Sequence, residues 1–169
     1  MQSSPSVKNN SLTQIWLLPL LVSLTTAVFL SIPYLLAHSL TGEGLVFTGL
    51  IMNPEDSNTY WAKMLQGYAG EWLYTIPFTP EAHDGALVGV FYVWLGQIAR
   101  WLGMSLTAVW HTSRIIAATI LFLTIYAFIS TFTENHRIRW TAYLLTLFGS
   151  GLGWLLFIFR ATYWLDAFP

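Results

Sequence analysis

The sequence predicts an all-α integral membrane protein, with three transmembrane helices and one or two interfacial helices. Four spans are the alternative, should a short fourth apolar run also cross. Three observations carry this. Of the 169 residues 55% are hydrophobic and only 9% charged, a balance that soluble domains rarely show. Uncharged runs reach about 20 residues, the length needed to cross a hydrocarbon core about 30 Å thick. Trp and Tyr stand near the ends of those runs, as in the aromatic belts of membrane proteins.

Residues 1–14 form a cytoplasmic tail, polar over 1–10 with Lys8 its only charged side chain there. Residues 15–37 are uncharged and read as the first span. Pro19 and Pro33 lie near its ends, where they cost least. A cleaved signal peptide is the other reading, but its apolar core usually runs only about 7–15 residues.

Residues 38–111 form the first extracytoplasmic loop. Between 38 and 85 it holds six of the eight acids: Glu43, Glu55, Asp56, Glu71, Glu81 and Asp84. Asn53 is a good N-cap and Pro54 a good first helical residue, so a helix is expected to start there. Glu55 and Asp56 fall in its first turn, where the helix dipole favours negative charge. Trp61, Met64, Leu65, Tyr68 and Trp72 then share one stripe, with Ser57, Lys63, Gln66 and Gly67 off it. This is an amphipathic helix lying in the membrane surface. Capping alone would also account for Asp56.

Residues 86–99 are apolar almost all round with Arg100 at their end, a length that suits an interfacial or re-entrant helix better than a span, although extension to Leu102 could make 86–102 a short span. Residues 111–132 are the second span, with Arg114 near its start. A short turn, 133–139, carries Glu134, His136, Arg137 and Arg139. Residues 140–159 are the third span, closed by Arg160. Within it Gly149 and Gly153 match the small-xxx-small pattern of close helix contacts.

A net charge of −1 leaves no electrostatic footprint for nucleic acid. The absence of Cys excludes disulfides and thiolate metal sites. Glu81, His83 and Asp84 could supply an acid, a base or metal ligands, although such loop residues are usually just solvated. Arg100 and Arg114 either snorkel to headgroups or bind a lipid phosphate. His38, His111 and His136 lack partners at metal-ligand spacing. No Ser-His-Asp arrangement or nucleotide fingerprint is present.

Taken in order, these features resemble the N-terminal part of the GT-C glycosyltransferases, multi-span enzymes that use polyprenyl-phosphate sugars. The protein O-mannosyltransferases and the lipid A aminoarabinose transferase are members. Asn53-Pro54-Glu55-Asp56 is similar to the Pro-acid-acid signature of some members, and 60–70 to the helix that follows it. Phe91-Tyr92-Val93-Trp94-Leu95-Gly96 resembles the family's juxtamembrane helix, and Arg114-Ile115 the Arg that opens the next span. The likeness covers roughly residues 15–160. The Pro-Pro-Leu often found before the juxtamembrane helix is replaced here by Glu81-Ala82-His83-Asp84-Gly85.

The resemblance implies transfer of a sugar from a polyprenyl-phosphate donor to an acceptor hydroxyl, at the extracytoplasmic face of a prokaryotic cytoplasmic membrane. It makes Asp56 the base. Glu55 becomes its neighbour or the contact of a divalent metal near Asp56, and Arg114 and Arg100 the phosphate contacts, with Glu81 and His83 on the substrate side. Members usually have about eight or more spans. The chain is therefore expected to be the first part of a larger enzyme, a truncated frame or a piece whose missing spans come from a second chain, and inactive alone. The competing expectation is a small non-enzymatic multi-span protein, such as a transporter subunit or assembly factor. Against it, transporters tend to place charges mid-span, whereas here the acids cluster in one loop.

Overall fold

The computed structural model describes residues 12–51 and 54–149, without the side chains of 12–15, 54 and 55. It contains α1 (Leu12–Phe29), α2 (Ile32–Ser39), α3 (Pro54–Ala69), α4 (Val90–Leu102), α5 (Leu106–Ser130) and α6 (His136–Phe148). Among the described residues there is no strand, only an isolated antiparallel bridge between Tyr74 and Ala86. The described residues form two compact units, one within 21–119 and one from 12–20 with 120–149.

The all-helical expectation holds among the described residues. Among the described residues two helices, not three, are long and apolar enough to cross a membrane: Trp16–Ser39 and Leu106–Ser130. The expected third span, 140–159, coincides with the described helix only as far as Phe148. The rest of it, with Gly153, lies outside the described residues. So does Asn53, the expected cap of α3.

The first run is broken, which the sequence reading did not place. Pro33 has no N–H to offer the Phe29 carbonyl four residues back, so the helix opens upstream of the proline rather than at it. The Leu30 and Ser31 N–H groups bond to the Thr26 and Val28 carbonyls at 3.0 and 2.9 Å. A new helix then starts, with Tyr34 and Leu35 both donating to the Ser31 carbonyl at 3.1 Å. Ser31 is buried at this break.

The α3 helix starts as expected but ends at Ala69, so Trp72 does not share its stripe. The Glu71 N–H reaches back to the Gln66 carbonyl and that of Gly70 to Gly67, each at 3.0 Å, with Gly70 at φ +113°. This is a Schellman stop. Gly67, expected off the packed face, is in the contact itself. A Cβ there would collide with the Val93 carbonyl of α4, and one on Gly96 with the Met64 carbonyl of α3. The two backbones therefore cross at a spacing that only glycine allows. Around the crossing Met64, Val93 and Ala99 are fully buried. Met64, Leu95, Ala99 and Val109 form one core with Trp61, Tyr92, Met104, Leu106 and Trp110 packed on it, which joins α3, α4 and the start of α5.

The segment 86–102 divides. Ala86 pairs with Tyr74 at 3.0 and 2.9 Å, and only Val90–Leu102 is helical. At 13 residues α4 extends about 20 Å, less than the hydrocarbon thickness. Between α4 and α5 stand only Gly103, Met104 and Ser105. The Ser105 hydroxyl accepts from the Ala108 N–H at 3.2 Å, so α5 begins at Leu106, five residues before the span read from sequence. That helix therefore carries Trp110, His111 and Arg114 inside its first three turns.

In the other unit Asn135 caps α6, its side chain accepting from the Arg137 and Ile138 N–H groups at 3.0 and 3.3 Å. Tyr126 meets Trp16, Trp140 and Tyr143 at 5.2–5.7 Å between ring centres. At the end of α6 a Cβ on Gly149 would meet the Leu145 carbonyl of the same helix, and its expected partner glycine, Gly153, lies outside the described residues.

Candidate functional site

Asp56 lies exposed in the first turn of α3, its carbonyl accepting from the Thr59 hydroxyl at 2.6 Å. The side chain of Glu55 is outside the described residues. One turn on from Asp56 comes Tyr60. Its ring meets Tyr92 of α4 at 4.5 Å and Trp110 of α5 at 6.1 Å. Trp110 stacks on Tyr92 at 5.6 Å and on Trp61 at 6.2 Å, both at 23°. Three helices thus supply one aromatic wall, brought together by the glycine crossing of α3 and α4.

Arg114 follows Trp110 by one turn of α5. Its Nη2 donates to the Ser31 hydroxyl at 2.9 Å, and its guanidinium lies 3.8 Å from the centre of the Tyr34 ring. Tyr34 in turn meets the His111 ring at 4.9 Å. A hydroxyl and a ring face orient the cation without neutralising it, which is suited to receiving an anion. The opening upstream of Pro33 is what turns Ser31 and Tyr34 toward it. Beside Arg114, a pocket of about 180 Å³ is lined by Phe91, Tyr92, Trp110, Ser113, Arg114 and Ala117.

Burial pushes the Tyr92 hydroxyl above the ordinary tyrosine pKa, and the neighbouring Tyr60 adds to the shift. Tyr74 is raised too, by burial. Lys63 points between the Tyr74 and Tyr60 rings, 4.9 and 5.7 Å from their centres.

The other residues singled out in the sequence lie elsewhere. Arg100 is exposed in the last turn of α4, about 12 Å along the helix from Tyr92. Its guanidinium lies over Gly70. Glu81 and His83 are exposed in the loop between α3 and α4. His83 fastens that loop: its Nε2 accepts from the Ile76 N–H at 2.9 Å, which leaves Nδ1 to donate to the Glu81 carbonyl at 2.9 Å. Gln66 clamps Thr75 with two bonds, at 2.6 and 2.9 Å, and buried Gln97 donates to the Glu71 carbonyl at 2.8 Å. Neither glutamine stood out in the sequence reading. Among the described residues no group of three or more His, Asp or Glu could hold a metal ion.

Fold and site together define, among the described residues, two helices long and apolar enough to cross a membrane, with an acid, an aromatic wall and an oriented cation near the start of the second. No protein-family model, curated protein or solved structure matches this chain.

Proposed function

We propose that this chain provides the acid-and-cation end of a membrane glycosyltransferase, which moves a sugar from a polyprenyl-phosphate donor to an acceptor hydroxyl at the extracytoplasmic surface. One observation carries the reading. Asp56 and Arg114 stand each one turn from a ring of the same aromatic wall, with Tyr60 and Trp110 6.1 Å apart between them. A carboxylate base and a cation, each next to the same apolar platform, suit a reaction that takes a proton at one end and releases an anion at the other.

In that reaction the acceptor hydroxyl loses its proton to the Asp56 carboxylate as its oxygen bonds to the anomeric carbon. The bond between that carbon and the phosphate oxygen breaks, and the electron pair leaves with the phosphate. The guanidinium of Arg114 meets the charge that develops there. An ionisable residue within a spanning helix is expensive to keep, and a functional role explains its presence. Tyr92 and Trp110 exclude water from the pocket between. Glu55 stands beside Asp56 as neighbour or metal contact.

The test compares Asp56→Asn with the unaltered sequence, each joined to or co-expressed with the spans that complete the enzyme, for transfer from a polyprenyl-phosphate sugar to a hydroxyl acceptor. Asn caps a helix about as well as Asp, so folding should be retained. Loss of a positioned base should lower turnover by about 10²-fold or more. Near-normal turnover would return Asp56 to a capping role.

A further inference from the structure

A second concavity lies on the other side of Arg114 from the aromatic pocket. It is a groove of about 570 Å³ between the α1–α2 break and the start of α5. Val28, Leu35, Phe47, Ala108 and Ile115 give it a mainly apolar surface. Ser31 accepts from Arg114 and donates to the Ala27 carbonyl at 3.3 Å, while His111 packs on Tyr34 with both ring nitrogens buried and not hydrogen-bonded. Apart from Phe47 and Ser105, its lining belongs to the helices long and apolar enough to cross a membrane. Val28 and Leu35, on its rim, are 50% and 67% exposed, so the groove opens toward the side where hydrocarbon would be.

We infer that this groove is the seat of one acyl chain of a bilayer phospholipid. Apolar cavities do not hold water well, and an empty one forfeits the dispersion contacts of its lining. In a bilayer the chain that fills such a groove comes from the lipid itself. The polar end of the lining sits where a headgroup would be. Ser105 and His38 are exposed and close to the starts and ends of the two spans, while Val28 and Ile115 lie further along them. The chain lies against the wall that holds Tyr34 and Ser31, so the lipid supports the orientation of Arg114 from behind. This site is separate from the aromatic pocket and does not depend on sugar transfer.

The experiment is native mass spectrometry of the protein extracted from phosphatidylglycerol bilayers, with retained lipid counted. The unaltered protein should keep one phospholipid under conditions that strip the rest. Ala108→Phe, which fills the groove from its floor, and Val28→Phe, which fills it from the exposed rim, should each lower the retained fraction at least tenfold. Ile116→Phe, at an exposed position of α5 outside the groove, should leave it unchanged. Circular dichroism checks that all three keep their helix content, and Val28→Phe decides the matter if Ala108→Phe does not fold. Absence of retained phospholipid, equal behaviour of the groove and control variants, or retention of an added isoprenyl phosphate in place of phospholipid would each overturn the inference.

Discussion

Replacing Gly67 with Ala tests the crossing on which the aromatic wall depends. On an isolated or lipid-facing helix this change is favourable, since Ala is the better helix former by about 1 kcal/mol. Here the added methyl would collide with the Val93 carbonyl, a backbone atom that cannot turn aside. The helices would have to separate by about 1 Å or more to restore ordinary contact distances. Met64, Val93 and Ala99, all fully buried, would lose packing as they did so. Overpacking of this kind typically costs about 1–3 kcal/mol, which outweighs the gain in propensity at all but its lower edge. At about 2–4 °C per kcal/mol for a chain of this size, the melting temperature in detergent should fall by several degrees. Gly96→Ala should do the same through the Met64 carbonyl, and the Trp fluorescence of the wall should change in both. An unchanged or raised melting temperature for both variants would mean that α3 and α4 do not cross at these glycines.

Other outcomes follow from the same geometry. Single Cys residues at Ser57, Asp84 and Ser105, in a chain with no native Cys, should all react with an impermeant thiol reagent from one side, because α4 is too short to cross. Protection of Ser105 alone would mean that α4 spans. The raised pKa of Tyr92 and Tyr74 lets the folded chain keep protons that the unfolded chain releases from about pH 10. Stability should therefore be intact below that pH and fall as pH rises through the folded values. Melting curves from pH 8 to 11 should show this decline, and the double Phe variant should flatten it; an equally steep decline would refute the assignment. Gln66→Ala should free the Thr75 N–H, raising its hydrogen-exchange rate about tenfold or more, whereas an unchanged rate would mean the clamp is absent.

Much of the architecture was legible, because long uncharged runs have few other solutions. The apolar residues of 15–37 and 111–132 marked both helices long and apolar enough to span, and Asn53-Pro54 marked the start of α3. What could not be read depended on contacts distant in sequence, or on a local rule applied one turn off. Pro33 was visible, but its effect falls on the Phe29 carbonyl, so the opening lies upstream at Leu30 and Ser31. Gly67 and Gly96 look locally like weak points in helices, and their use emerges only when two backbones meet. Ala86 reads as the start of an apolar helix until Tyr74 pairs with it. At the site, the four-residue spacing of Trp110 and Arg114 is present in the sequence, although only Arg114 stood out there. The joining of Tyr60 and Tyr92 to Trp110 was not, because it requires the crossing. Gln66, Gln97 and His83 bond to backbone atoms, and no spacing rule reveals such partners.

The link of Gly103, Met104 and Ser105 has a consequence for how the membrane acts on this chain. Three residues can reach only about 10 Å, and Val109 shares a core with Met64, Leu95 and Ala99. The hairpin of α3 and α4 therefore rides on the first turns of α5. A helix that adjusts to a thinner or thicker bilayer does so by tilting or shifting along its axis. If α5 crosses a bilayer as its length and composition allow, any such adjustment would carry Asp56 with it, and bilayer thickness as well as the fold would then set the height of the carboxylate.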